Sequence, residues 1–473
     1  MARPNILIFL PETIRADAVL GPAESRARTP NLDRFASQSS RFDNAFCQMA
    51  YCTPSRCSMF TGLYPHTAGH RSIWHLLQQG ERNLFQDLRE GGYRTVVFGK
   101  NDLVDASFAP DCFDEWSLRV PGDSGSYKAV PSELGERLAP AMYSGRREGA
   151  CHDSDWARTQ SALAFLEEEH DEPWCLFLPL SFAHPAYVAE EPYFSMHSRD
   201  AMPNPIPPGD LDRRRAYRRM YHEFAFPDGM SVADCREIKA LYYGMVSRVD
   251  AQFGQILDKL EERSLVDDTV VVFGSDHGDY AGDYGMVEKC PYGFDDCMLH
   301  VPLVIRAPGM GPAEVGALCE MTDLYPTLLE LAGIASRHHH FGRSLVPLMR
   351  GQCAAHREAV FAEGGRLSGE EHFGIGGLGA GSWYGRRAAL VAEDPETIAG
   401  RCAMVRTETH KYVYCVNDQD ELFDLVNDPD EVVNVADQPE CESVRRELHD
   451  RLLRWLLETS DTLPLQHGGR GWP

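Results

Sequence analysis

The chain has 473 residues, of which 43% are apolar and 25% charged, with a net charge of −25. That length exceeds one comfortable hydrophobic core and predicts a large domain with a smaller one. The acidic balance argues against nucleic acid or an anionic membrane as the main partner, so an anionic substrate would have to be held by a few local cations.

The N-terminal run "MARPNILIFLPET" lacks the cationic region and cleavage site of a signal peptide. It is also too short to span a bilayer, and Asn5–Leu10 reads as a buried strand. A cytoplasmic location is the expectation. Fourteen cysteines without an export signal then read as reduced thiols rather than a disulfide framework.

Further strands are predicted at Arg94–Gly99, Trp174–Phe182, Thr269–Ser275 and Val301–Arg306. Helical periodicity marks 83–90, 161–169 and, most clearly, 236–263, where Ile238, Leu241, Met245, Val249, Phe253 and Leu260 share one face. Near-continuous apolar strands alternating with helices predict an α/β fold, a large mostly parallel sheet sandwiched by helices, over residues 1–355. Residues 356–473 read as a small α+β subdomain. There, 364–382 is a Gly-rich loop or lid, 403–416 gives two short antiparallel strands, and 441–458 is a closing amphipathic helix. Two insertions, 105–150 and 185–235, are the expected substrate-specific surfaces.

In such sheets ligands bind beyond the carboxyl ends of the strands. Just after the predicted strands stand Glu12, Thr13, Lys100, Asp102, His184, Asp276 and His277, nearly all of them metal-ligand or acid–base types.

The stretch "YCTPSRCSMFTG", residues 51–62, sets Cys52 and Cys57 five apart, a poor spacing for a zinc clip. Its C-x-P-S-R followed by T-G resembles the sulfatase signature. "VFGSDHGDYAGDYGMVEK" is similar to that family's second metal block, "MTDLYPTLLELAGI" to the helix after it, and "ELFDLVNDPDEVVNVAD" to its C-terminal signature. The resemblance spans essentially the whole chain in the expected order. It implies an alkaline-phosphatase-like fold and hydrolysis of a small anionic ester, a sulfate ester. It implies that Cys52 is oxidised by a formylglycine-generating enzyme to formylglycine, whose hydrated aldehyde is the nucleophile. One divalent metal ion, calcium or manganese, is implied at Glu12, Asp276, His277 and modified Cys52, with Thr13 adding a hydroxyl or carbonyl. Lys100, His184 and Lys289 match the family's substrate-contacting cations and leaving-group acid.

These residue types suit the chemistry. A carboxylate-held cation neutralises a sulfate ester and lowers the pKa of the attacking hydroxyl. Pro54, Ser55 and Arg56 would start a helix that aims its positive end, and a fixed guanidinium, at the anion. Cys57 reads as a buried bystander on that helix.

The chain departs from the usual pattern in two places. Typical calcium sulfatases begin with two adjacent aspartates and end with Asp-Asn-Gly, whereas "PET" offers one carboxylate, Glu12, and "SDHG" places a histidine. An imidazole ligand suits manganese, iron or zinc better than calcium. The set is closer to the phosphonate monoester hydrolase and phosphodiesterase branch, which gives the alternative activity at the same site. The usual G-K-x-H becomes "GKND", leaving Asp102 as a candidate base for sulfate release.

Plainer readings stand beside these. Cys52 could be structural, Asp276-His277 a strand-end turn, Glu12 an exposed bystander, His184 a core histidine, and Lys100 and Lys289 solvated. "HHH" at 338–340 reads as loop histidines pointing different ways, and "RRRAYRR" at 213–219 as a solvated helix face. His66 and His70 are expected to support the nucleophile helix, and Trp383 and Tyr384 to cover an apolar leaving group. A non-catalytic anion-binding relative with an unmodified Cys52 is the third functional class. Substrate identity and oligomeric state stay open, a homo-oligomer included.

Overall fold

A computed structural model describes residues 3–123, 127–139, 141–149, 151–225, 229–370 and 382–463. Its centre is a seven-stranded sheet in the spatial order Ala313–Glu320, Ser40–Phe46, His300–Arg306, Thr269–Gly274, Asn5–Leu10, Trp174–Pro179 and Arg94–Val97. The strands Trp174–Pro179 and Thr269–Gly274 are buried throughout and flank Asn5–Leu10, as their unbroken apolar sequence requires. Ile8 pairs in parallel with Phe177 on one side and Val272 on the other. The architecture is the alkaline-phosphatase-like α/β fold.

The sheet differs from the sequence reading at one edge. His300–Arg306 runs antiparallel to both its neighbours. The chain returns from residue 274 to 300 through loops and short helical turns, without the full crossover helix that usually brings a parallel strand back into register. Ser40–Phe46 and Ala313–Glu320 are strands that apolar runs do not announce. They alternate buried with partly exposed positions and carry register shifts, which break the pattern.

The helix Val232–Glu262 crosses one face, opened by a capping box between Ser231 and Asp234. Phe253 on its apolar stripe packs on Phe9 and Phe273, with ring centroids 4.9 and 5.1 Å away. About three turns away, Tyr242 accepts from Arg15 N at 3.0 Å and donates to Thr13 O at 2.8 Å, which ties the helix to the loop after the first strand. The predicted helix at 161–169 begins earlier and spans Ser154–Leu166, capped by Asp153. On it, the Asp155 carboxylate accepts from Ser181 N and Phe182 N and fixes the loop that carries His184. The two insertions meet, since Tyr143–Gly149 pairs with Tyr187–Ala189.

A four-stranded antiparallel sheet, Val360–Gly364, Cys402–Arg406, His410–Cys415 and Glu421–Asp424, forms the small C-terminal unit. The helix Glu442–Thr459 covers it through a second apolar cluster that includes Val405, Tyr412, Leu422, Leu452 and Trp455. The run at 213–219 is not a solvated face: Arg214, Arg215 and Arg218 are buried, paired with Glu421 and Asp295. Stacking on Phe423, Tyr217 and Tyr284 absorbs their flat faces. Within the predicted Gly-rich loop, 371–381 lie outside the described residues, and the helix Trp383–Glu393 follows. Among the described residues no helix is long and apolar enough to cross a membrane.

Candidate active site

Loops at the carboxyl ends of three central strands lace together before any side chain reaches the cavity. Ser275 Oγ accepts from Ile14 N at 2.9 Å and donates to Pro11 O at 2.9 Å. Thr13 takes a positive φ of 61°, and its N–H donates to Asp276 Oδ1 at 3.2 Å. That unfavourable backbone turns the loop so that Glu12 points inward.

The helix Cys52–Thr61 starts at Cys52 itself, buried over its full length, and Tyr51 precedes it in extended conformation with no side-chain cap. Its first N–H groups are therefore free of a capping side chain, as an anion site needs. Ser55 Oγ donates to Asp276 O at 2.6 Å, and Arg56 meets Asp276 Oδ2 through Nε at 3.0 Å and Nη2 at 2.9 Å. Arg56 is fully buried and faces Asp276 rather than the cavity. It is placed to hold a carboxylate, not to touch substrate.

Glu12, Cys52, Asp276 and His277 each turn one ligand-type atom into a common space, all within 4.8 Å of one another and all buried. Cys52 Sγ, in the position a formylglycine hydroxyl oxygen would take, lies 2.7 Å from Glu12 Oε1 and 3.4 Å from His277 Nε2. His277 Nδ1 donates to Gly278 O at 2.9 Å, leaving Nε2 as the acceptor that faces the cluster. In the residue after Glu12, Thr13 Oγ1 is buried and has no hydrogen-bond partner among the described residues. Two buried carboxylates, an imidazole nitrogen and an unpartnered hydroxyl form a donor set that fits a divalent cation.

Cations close the other side. Lys100 Nζ is 3.0 Å from both Glu12 oxygens and 2.8 Å from Asp102 Oδ2, and Asp102 is also 3.9 Å from Arg56. Lys289 Nζ stands 3.8 Å from Glu12 and donates to His184 Nε2, while His184 Nδ1 donates to Pro185 O. Burial alone would raise Glu12, but the charges of Lys100, Lys289 and Arg56 hold it well below the usual carboxylate range. Burial, then the Lys289 charge, pushes His184 down to about 4, so its neutral imidazole accepts from the Lys289 ammonium. Burial and the Glu12 charge push the Cys52 thiol well up and keep it protonated.

Of these groups, Cys52, Lys100, Asp102, His184 and Lys289 line a cavity of about 340 Å³, whose walls include Tyr51, Trp74, Tyr221, Tyr292 and Tyr384. Sequence reasoning missed Glu288, Arg366, Tyr384 as a contact of Glu288, and Arg387. Glu288, at φ 64°, accepts from Tyr384 Oη at 2.9 Å and Arg387 Nη1 at 3.0 Å. Only folding brings 384–387 to residue 288; the one local signal was the charged pair Glu288-Lys289. The second insertion reaches the cavity through Met220 and Tyr221, whereas none of its described lining comes from 105–150.

The remaining candidates lie elsewhere. His66 bonds Glu363 and Thr459, and His70 bonds His75 O and faces Glu81. His338 bonds Thr61 O, His339 packs on Phe341, and His340 bonds Gly342 O, so the triplet gathers no common ligand. Trp383 is buried against Tyr221 and Phe224 behind the wall, leaving Tyr384 to face the cavity.

With this geometry in hand, the comparisons agree. The sulfatase family model matches residues 4–334. Choline-sulfatase of Rhizobium meliloti is 27% identical over 502 residues, covering 99% of this chain and 90% of that protein. The multifunctional alkaline phosphatase superfamily protein PehA of Trinickia caryophylli is 27% identical over 517 residues, covering 98% and 96%. In fold, the phosphonate monoester hydrolase of Agrobacterium radiobacter superposes with a TM-score of 0.75 at 24% identity, covering 97% of this chain and 96% of that one. The fold is that of the alkaline phosphatase superfamily. Within that superfamily, the chain belongs to the sulfatase family, a family of sulfuric ester hydrolases.

Proposed function

We propose that the protein hydrolyses sulfate esters, using a nucleophile made from Cys52 beside a divalent cation held by Glu12, Asp276 and His277. The observation that carries this reading is the convergence of four ligand-type atoms within 4.8 Å at the first residue of the C-T-P-S-R helix, opening on a cavity. Relatives named choline-sulfatase and arylsulfatase K support it. Oxidised to formylglycine by a maturing enzyme and then hydrated, position 52 would supply one hydroxyl to attack sulfur and a second whose oxygen re-forms the aldehyde as sulfate departs. A manganese or calcium ion at Glu12, Asp276, His277 and the position-52 oxygen, with Thr13 alongside, would supply positive charge against the sulfate oxygens and acidify that hydroxyl; the imidazole favours manganese.

The chain's own residues do the rest. Arg56 and the Thr13 N–H fix the two Asp276 oxygens. Lys100 and Lys289 line the cavity where the sulfate oxygens would lie. Lys289, held in place by its hydrogen bond to neutral His184, is the acid that protonates the departing alcohol. Asp102, held between Lys100 and Arg56, is the base for sulfate release. All cysteines are free, which supports work in a reducing, cytoplasmic compartment.

The second reading, hydrolysis of phosphonate monoesters or phosphodiesters, is favoured by one observation: His277 shares the ligand set with a single N-terminal carboxylate, Glu12. Rates on matched aryl sulfate and aryl phosphonate esters decide between them. Faster sulfate turnover supports the proposal and faster phosphonate turnover transfers the site to the second reading. Tight binding of either ester without turnover, in protein from its native host, would make the chain a non-catalytic anion binder.

A further inference from the structure

Four cations line the cavity, and three are already matched by carboxylates. Lys100 meets Glu12 and Asp102, Lys289 faces Glu12 and Glu288, and Arg387 meets Glu288 at 3.0 Å. The fourth, Arg366, has no carboxylate partner among the described residues; its guanidinium donates through Nη2 to Tyr292 Oη at 3.1 Å. In a chain of net charge −25, a half-buried arginine in the cavity with no carboxylate partner among the described residues is open to an arriving anion.

Its position is also fixed by the backbone. Arg366 follows the strand Val360–Gly364, and its N–H donates to Ala399 O at 2.8 Å. Gly365 just before it has φ 80°, and a Cβ there would meet Gly400 O at 2.0 Å, so only glycine makes this turn. The turn delivers Arg366 to the cavity from the C-terminal sheet, whereas Cys52, Lys100 and His184 come from the main sheet. Tyr51, Trp74, Tyr292 and Tyr384 line the same cavity.

We infer that Arg366 is a specificity-determining anchor for the leaving group, so that the preferred substrate is an ester of a flat, ring-bearing alcohol carrying a second anion, a carboxylate or a further sulfate. This rests on the ester-hydrolase reading of the same cavity. The aromatic walls take the ring, and the guanidinium takes the second anion by the planar, charge-assisted hydrogen bonds that arginine makes best.

The test measures kcat/KM for phenyl sulfate, 3- and 4-carboxyphenyl sulfate and a benzene disulfate, with wild type and Arg366→Met. In wild type at least one doubly anionic ester should exceed phenyl sulfate by about tenfold or more, the worth of one charged hydrogen-bonded pair. In Arg366→Met that ratio should fall to within about twofold of unity, with phenyl sulfate changed less than about threefold. Comparing the two proteins cancels the carboxylate's own effect on the leaving group, and which ester loses most tells carboxylate from sulfate. An unchanged ratio in Arg366→Met, or no preference in wild type, overturns the inference. Calorimetric binding of 3- and 4-hydroxybenzoate against phenol needs no turnover and separates the two ideas. Discrimination lost in Arg366→Met with no sulfate ester cleaved sinks the proposed function and keeps the subsite. Cleavage without discrimination does the reverse.

Discussion

At the joint with the C-terminal sheet, Arg214, Arg215 and Arg218 are as buried as Glu12, Asp276 and Lys289 are at the active site, yet the two groups are built differently. In the joint each carboxylate is met by guanidinium. Glu421 takes Arg214 on one oxygen at 2.8 Å and Arg215 on the other at 2.9 Å, and Asp295 takes Arg214, Arg218 and Tyr280 Oη. In the site, two carboxylates, a thiol and an imidazole crowd one space, the Thr13 hydroxyl has no partner among the described residues, and the cations stand on the cavity side. A network whose carboxylates are each met by guanidinium groups is a clamp, even with Arg218 Nε and Nη1 unpartnered among the described residues. One that leaves acceptors converging and cations facing a cavity holds charge for a ligand that arrives later.

Mutations should separate the two. Cys52→Ala should lower turnover by more than about a thousandfold while the circular dichroism and melting temperature stay near wild type, because it removes the proposed nucleophile and only one buried sulfur. Asp276→Asn should reduce bound metal, measured by elemental analysis after dialysis, together with an activity loss of about a hundredfold, since it takes a ligand and the partner of Arg56 together. Glu421→Ala should act on stability instead. Leaving buried Arg215 without its carboxylate, and Arg214 with Asp295 alone, costs about 3–5 kcal/mol in urea unfolding, with metal content unchanged.

Acid should strike the clamp in a predictable direction. Burial would raise Asp295 and Glu421, but the surrounding arginines hold both below their ordinary values. Their stabilisation is therefore complete above about pH 4, the unfolded carboxylate range, and is lost as pH falls through the lowered values. Melting temperatures should drop below about pH 4, and the Glu421→Ala protein should lose less over that window. Tyr384→Phe should have the smallest effect, a few-fold in kcat with KM little changed. It deletes one hydrogen bond to Glu288, worth about 1 kcal/mol, beside the Lys289–His184 pair.

Most of the site was legible because its residues follow strands. Glu12, Lys100, His184 and Asp276 stand immediately after apolar runs, and the carboxyl-end rule collects them without any contact information. The edge strands were not legible, since Ser40–Phe46 and Ala313–Glu320 alternate exposure and mix polar with apolar residues. The arginine run was misread for a related reason. Its charges are satisfied by Glu421 and Asp295, more than 70 residues away in the chain, and no local pattern carries that pairing. Arg366 and Glu288 stayed hidden because their meaning depends on which cations already have partners, and only the folded cavity gives that account.

The central claim, that Cys52 is converted into the nucleophile of this cluster, is tested most directly by mass spectrometry of the tryptic peptide ending at Arg56, from active protein made in its native host. An aldehyde at position 52 is the predicted result. An intact thiol throughout a preparation that still turns over an ester would contradict it.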